Sequence, residues 1–505
     1  MKKYMDFWNE IWRIVCDFIS VPNLKSAFLW GIALYAIALF ALLRGDIYYI
    51  DDLQHSIIDN SNANTFSRYL TTITLSGVAT FGKGTLDLSP LPQIFGICLV
   101  IISSMILIYL IRGKFDFIGI VASLPLGLSP HFLQNLSYKF DSLTMAMALF
   151  FAIVPFLFQS NRRVFCVVSV VSIICSFMLY QAANATYIIL SLYFAFWLYF
   201  IKGQNFKESA GFLGICVANL IIATLIYKLI IMQPVSEYII AYTSNKMLSL
   251  DAHFFAGLWA NLAEYATTIF NDLKNTAYMW LIALNCVLFV INATICTNRP
   301  KIFVIFSATL FLTLGFALSF GLYIVLEKTI FEPRTFYGFN ALVAVIAIAN
   351  ISFASRIDSN KILHYFSCTL AIITAYFLIS FANIYGNALK KQDEYLDFRA
   401  KLLLQDLSDK IPRGAMVDLK IYLDKHPVAQ RFAEKYGDIS RLIPKVAEND
   451  WFFHWRVRHL NAPYNLENSE MCAFLLETFG SEIIAKNAYH TIAKSKSCYI
   501  VTINK

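Results

Sequence analysis

LPQIFGICLVIISSMILIYLI, residues 91–111, is a run of sequence without a single charged side chain. A helix of roughly 20 apolar residues crosses the hydrocarbon layer and satisfies its own backbone groups there. Comparable runs at 27–43, 115–133, 141–159, 164–181, 184–201, 209–231, 276–296, 302–326, 337–355 and 361–384 bring the predicted spans to eleven, which puts the termini on opposite sides. Composition agrees: 58% of residues are hydrophobic and 15% charged, against about 25% charged in soluble domains. The class is therefore a polytopic α-helical membrane protein. The run 27–43 is followed by polar residues and by many further runs, so it reads as a span and not as a cleaved signal peptide.

Short loops rich in Lys and Arg mark the cytoplasmic side. Lys2, Lys3, Arg13, Lys25, Arg112, Lys114, Arg162, Arg163, Lys202, Lys207, Arg299, Lys301, Arg356 and Lys361 fall on one side, mostly in minimal connections. The other side has eight, Arg44, Arg68, Lys83, Lys139, Lys246, Lys274, Lys328 and Arg334, spread over long loops. The segment 1–26 is thus expected in the cytoplasm, the module 27–384 in the membrane with large outer loops at 44–90 and 232–275, and the tail 385–505 outside. The net charge of +8 follows from this topology and calls for no nucleic acid.

In the tail, Leu389, Leu396, Leu403 and Leu407 recur at helical spacing among charges, which predicts an amphipathic helix continuing the last span. The stretch 498–503 reads as a strand, and together these predict a small α/β domain. Cys472 and Cys498 alone among ten cysteines lie away from the spans, and an oxidising compartment would let them pair.

Asp51 and Asp52 form an acidic pair just beyond the first span, where charge near hydrocarbon points to chemistry or ion handling. Gly82-Lys83-Gly84 follows no strand and opens no helix, so it is not a phosphate loop, and no clustered Cys/His motif occurs. A nucleotide substrate is not indicated. His55, four residues after Asp51, could share its helix face, a spacing more common for a polar contact than for a metal site.

DLSPLPQ at 87–93, NLSYKFDSLTM at 135–145, YQAAN at 180–184 and EPR at 332–334 all fall in predicted outer segments. In order and spacing these resemble the Gtr-type, serotype-converting O-antigen glucosyltransferases of the membrane-embedded C superfamily of glycosyltransferases. That resemblance implies a GT-C-like fold in the bacterial inner membrane and transfer of glucose from undecaprenyl-phosphate glucose to lipid-linked O-antigen at the periplasmic face. It further implies membrane lipids as surroundings, and a flippase and a polyprenyl-phosphate glucosyl synthase as working partners.

An acceptor hydroxyl that attacks an anomeric carbon must lose its proton, and a carboxylate about 3 Å away can take it. Asp51 and Asp52 are the candidates. Helical neighbours point about 100° apart, so one is expected at the acceptor, Asp52 by a small margin, with the other capping or bracing; ordinary capping by Asp51 is the structural alternative. The leaving phosphate calls for cations, and Lys139 and Arg334 are the outer candidates. Their alternatives are pairing of Lys139 with Asp141, itself a helix cap, and of Arg334 with Glu332 or Glu327. Tyr138, Asp141, Gln181, Asn184 and Asp87 are candidates for sugar contacts, although Asp87 reads first as a helix-entry cap. Two basic side chains can neutralise a monophosphate, so no metal is required, though outer acids such as Asp251, Glu264 and Asp272 could bind one. The rival functions are a lipid-linked glycan transporter or flippase, a superfamily enzyme using another polyprenyl-linked sugar or a protein acceptor, and a noncatalytic assembly subunit. A transporter would place charges in mid-span and show repeat symmetry, and the spans are almost free of acids.

Overall fold

The computed structural model describes residues 2–58, 63–78, 86–233, 246–357, 361–444, 451–466 and 469–503. Among them, nine helices are long and apolar enough to cross a membrane, or ten if a bent pair counts as one span. Each of the eleven predicted stretches lies on helix, but two are not plain crossing helices. Phe117–Leu128 and Pro130–Ser137 meet at a 67° bend. Pro130 has no N–H to give, and it holds Ser129 out of the helical region, at ψ 145°. Ser142–Ile153 passes at Pro155 into a 3₁₀ turn, Val154–Phe158, and so stays short.

The predicted span 302–326 is also interrupted. Its helix, Lys301–Leu318, stops well before the apolar run does. Gly321 there takes a left-handed φ of 64° with the Asn184 side chain only 2.6 Å from where a Cβ would stand. Only glycine fits that turn.

The centre of the bundle is Tyr337–Ala354, every residue of which is buried. Buried amides tie it to its neighbours: Asn350 Nδ2 donates to the Asn285 carbonyl at 3.0 Å, and Asn292 Nδ2 to the Asn350 carbonyl at 3.3 Å. In a medium without competing water such bonds hold helices together, each worth about 0.6–2 kcal/mol. The last span and the tail helix are one element, Lys361–Lys410, of 50 residues. Gly386 lets it lie against the first span, Leu24–Gly45, since a Cβ there would meet Leu42 N at 2.7 Å.

Contacts sort the connections to two ends. At one, Ser352 Oγ donates to the Ile111 carbonyl, Thr297 Oγ1 to the Phe200 carbonyl, and the amino-terminal helix Lys2–Ile19 sets Phe18 against Phe115. At the other lie residues 46–58, 87–90, 134–141, 180–184, 322–335 and the tail.

In the tail, strands β1 (Met416–Ile421), β2 (Glu482–Lys486), β3 (His490–Ser495) and β4 (Cys498–Ile503) form one sheet in the order β1-β4-β3-β2, with only β1 and β4 parallel. The sheet buries Val417, Leu419, Val501 and Ile503 against Leu396, Leu403 and Leu407 of the long helix, a core separate from that of the bundle. Arg456 is clamped between Asp393, at 2.5 Å, and Asp397. Arg441 reaches back to the bundle, where its Nη2 lies 2.8 Å from Asp272, a carboxylate that His131 also contacts at 3.1 Å.

Cys472 and Cys498 are disulfide-bonded, 26 residues apart, and both are buried. Closing a loop of that length stabilises by about 3.5 kcal/mol if the unfolded chain carries the effect. Reduction, or Cys472→Ser, is expected to lower the unfolding midpoint of the tail in a thermal scan of the purified protein. An unchanged midpoint would mean that the bond is energetically idle.

Candidate active site

The first outer connection is built around Asp52. The span Leu24–Gly45 ends at Asp46 in a left-handed conformation, φ 49°, and Ile50 repeats that φ four residues later. A β-branched residue is strained there by about 1–3 kcal/mol and persists only when its surroundings fix it. Asp52 provides that fixation. Its carboxylate is buried and accepts the backbone N–H groups of Tyr49 at 2.8 Å, Lys139 at 3.0 Å and Phe140 at 3.4 Å. Burial and the neighbouring Asp51 push its carboxyl well above the usual range, against the pull of those N–H donors.

Asp52 thus staples the first outer connection to the one at 138–140 and does not reach the cavity described below. Of the adjacent pair, Asp52 is the bracing member and lies away from the cavity, although the sequence favours it there by a small margin. Asp51 stands at the N-terminus of the helix Asp52–Ile57 yet makes no capping bond. Its side chain instead lines the cavity. Asp52→Ala would leave three buried N–H groups without a partner and is expected to destabilise the protein by about 2–4 kcal/mol. Loss of detergent-solubilised monomer on heating would report this; a variant as heat-resistant as wild type would count against the stapling role.

Lys139 is similarly occupied. Its ammonium is buried, 2.6 Å from Asp46 and 3.5 Å from Asp87, and sits 3.8 Å above the Tyr48 ring. It does not line the cavity, nor does it pair with Asp141. Asp87 accepts from the Tyr48 hydroxyl at 2.7 Å and from Ser89 N–H at 2.9 Å. Burial would raise the Asp87 carboxyl, but Tyr48, Ser89 and Lys139 outweigh it and hold it below the ordinary value. Lys139 and Asp87 are therefore ties between outer connections, and Asp87 does not cap Leu91–Arg112, whose N-cap is Pro90 without a side-chain cap bond.

The remaining predicted residues converge. A cavity of about 600 Å³ is lined by Asp51, Tyr138, Asp141, Gln181, Asn184 and Arg334. Burial, opposed by His55 and Arg334 and reinforced by Asp141, raises the Asp51 carboxyl above the ordinary value. Arg334 N–H donates to Gln134 Oε1 at 2.8 Å, its guanidinium donates to the Tyr138 hydroxyl, and Tyr138 stands edge-on to Tyr49 at 4.9 Å. Asp141 precedes the helix Ser142–Ile153 without capping it. Asn184 is mainly structural: it accepts from Leu322 N–H at 3.0 Å and so fixes the Gly321 turn.

Three lining groups were not singled out for this role in the sequence. Arg68 lies over the Tyr180 ring at 4.5 Å and the Phe66 ring at 5.1 Å, and its Nε donates to Gln181 Oε1 at 2.8 Å. That contact fixes Gln181, whose amide donates to the Tyr227 hydroxyl at 3.0 Å. His55 stacks on Phe140 and faces the same space as Asp51. Trp451, 43% exposed, brings the tail to the cavity. No spacing in the sequence ties Arg68 or Trp451 to Asp51, because they meet only through the packing of distant connections. The lining is also apolar in part, with Leu75, Phe177, Met232, Val325 and Ile330.

Three carboxylates, those of Asp51, Asp141 and Glu332, and the guanidiniums of Arg68 and Arg334 share one cavity with much apolar lining, which suits group transfer from an anionic donor. Residues 40–345 match the family described as glucosyl transferase GtrII. The chain belongs to that family. The match spans every cavity residue from Asp51 to Arg334. A relative, described as an uncharacterized 55.3 kDa protein in the gtrB 5' region of Salmonella phage P22, is 23% identical over 431 residues, 82% of this chain and 85% of its own. No solved structure matches significantly. As a GtrII family member, the chain is a multi-pass membrane glycosyltransferase, and the cavity is the candidate site for that transfer.

Proposed function

We propose that this GtrII family member moves glucose from undecaprenyl-phosphate glucose to lipid-linked O-antigen at the periplasmic face of the bacterial inner membrane, altering O-antigen serotype. One observation carries the proposal: Asp51, Arg68 and Arg334 line the same cavity, together with apolar side chains. The acceptor hydroxyl gives its proton to Asp51 as its oxygen bonds to the anomeric carbon. The bond from that carbon to the phosphate oxygen breaks, and the electron pair leaves with the phosphate. Arg68 and Arg334 neutralise the charge that grows there, and Arg334 can do so bidentately. Products are the glycoside, polyprenyl phosphate and protonated Asp51, and a single displacement of this kind inverts the anomeric configuration.

The Lys and Arg asymmetry of the connections supports the orientation, with the cavity end and the tail in the periplasm. A donor of this kind must be made by a polyprenyl-phosphate glucosyl synthase and brought across by a flippase, so both are proposed partners. The proposed domain arrangement is 1–26 cytoplasmic, 27–384 membrane module and 385–505 periplasmic. Trp451 offers an aromatic face to the acceptor glycan, and Trp451→Ala is expected to raise the acceptor KM several-fold with donor KM unchanged, as measured by initial rates; equal effects on both would remove Trp451 from the acceptor path.

The deciding test supplies membranes bearing the protein with lipid-linked O-antigen and either polyprenyl-phosphate glucose or a sugar nucleotide. Label from the lipid donor alone should reach the glycan. Transfer from the nucleotide in membranes lacking the synthase would refute the donor assignment.

A further inference from the structure

Asp51, His55 and Asp141 each offer one ligand atom, and these atoms all lie within 4.8 Å of one another. The backbone sets two of them side by side: His55 N–H donates to the Asp51 carbonyl at 3.1 Å, one helical turn apart, so both side chains fall on one face. The third comes from the start of Ser142–Ile153 and is not used for capping. Asp51 Oδ1 and His55 Nδ1 are both buried and, among the described residues, have no hydrogen-bond partner. Buried acceptors are ordinarily satisfied.

We infer that Asp51, His55 and Asp141 bind a divalent cation. Ligands at about 2.0–2.2 Å from one ion in a tetrahedral shell lie about 3.3–3.6 Å apart, so side-chain atoms within 4.8 Å of one another reach that spacing by closing about 1–1.5 Å at most. Two carboxylate oxygens and one imidazole nitrogen suit Mn²⁺ or Zn²⁺ better than Mg²⁺ or Ca²⁺, which prefer all-oxygen shells. All three residues line the cavity, so three protein ligands leave coordination positions directed into it, available to an acceptor hydroxyl or a donor phosphate oxygen. The ion's part in glucosyl transfer rests on the function proposed above; its binding does not. An ion on one Asp51 oxygen leaves the other for the acceptor proton.

The test uses purified full-length protein stripped with EDTA and desalted. Mn²⁺ is titrated by electron paramagnetic resonance, and Zn²⁺ content is measured by mass spectrometry. Wild type is expected to take up one equivalent of one of these ions, and His55→Ala and Asp141→Asn to bind it at least tenfold more weakly while keeping the melting midpoint of stripped wild type. Absence of uptake by wild type, or equal uptake by wild type and both variants, overturns the site. If those variants fail to fold, the electron paramagnetic spectrum of Mn²⁺ on wild type decides: nitrogen coupling from one imidazole supports the site, and its absence overturns it. Stripped protein that binds no ion yet transfers glucose in an Asp51-dependent manner would sink the metal alone and leave the proposed function standing.

Discussion

Asp51→Asn is expected to reduce glucosyl transfer by about 10²–10⁴-fold, the usual contribution of a positioned general base, with donor binding retained. The substitution preserves shape and removes the proton acceptor. Asp51 makes no capping bond, so little stability should be lost with it. Asp52→Asn provides the contrast, because the Asp52 carboxylate holds Tyr49, Lys139 and Phe140 N–H groups. Its effect should appear first as thermal lability. Rates normalised to folded protein separate the two. Equal normalised rates for wild type and Asp51→Asn would remove Asp51 from the chemistry.

Arg334→Ala and Arg68→Ala should each lower kcat/KM for the lipid donor by about 10²–10³-fold, the scale of one preorganised charge at the departing group. The effect belongs to the transition state, so kcat should fall more than donor KM rises. Arg334→Lys keeps the charge but loses the planar fork that donates to Tyr138, and a partial loss is expected. Arg68 is also packed between Tyr180 and Phe66, so Arg68→Lys tests whether charge or stacking matters. Lys139→Ala is predicted to behave differently, loosening the Asp46 and Asp87 ties without a specific donor defect. A larger donor defect in Lys139→Ala than in Arg334→Ala would invert this assignment.

Much of the architecture was legible because hydrocarbon imposes one rule, that runs of about 20 apolar residues become helices. Hydropathy alone could not show where such runs break, at Pro130, Pro155 and Gly321, since all are local backbone events inside apolar sequence. The tail helix was visible in the leucine spacing, and Cys472 and Cys498 stood out as the pair lying away from the spans.

In the site, the structure brings most of the sequence candidates to one cavity and separates the two aspartates. Adjacent aspartates are equivalent to a pattern; what separates them is that one meets three backbone N–H groups from distant connections and the other meets a cavity. Lys139 looked available until Asp46 and Asp87 were brought to it from positions 93 and 52 residues away. Arg68 was one charge among eight in the outer loops until Tyr180 and Gln181 came to meet it.

The most direct measurement reconstitutes the purified protein alone in liposomes with polyprenyl-phosphate glucose and a lipid-linked glycan, and counts glucose on the glycan against polyprenyl phosphate released. One polyprenyl phosphate per glucose transferred, lost together in Asp51→Asn, is the predicted result. Movement of intact lipid-linked sugar across the bilayer with no new glycosidic bond would contradict it.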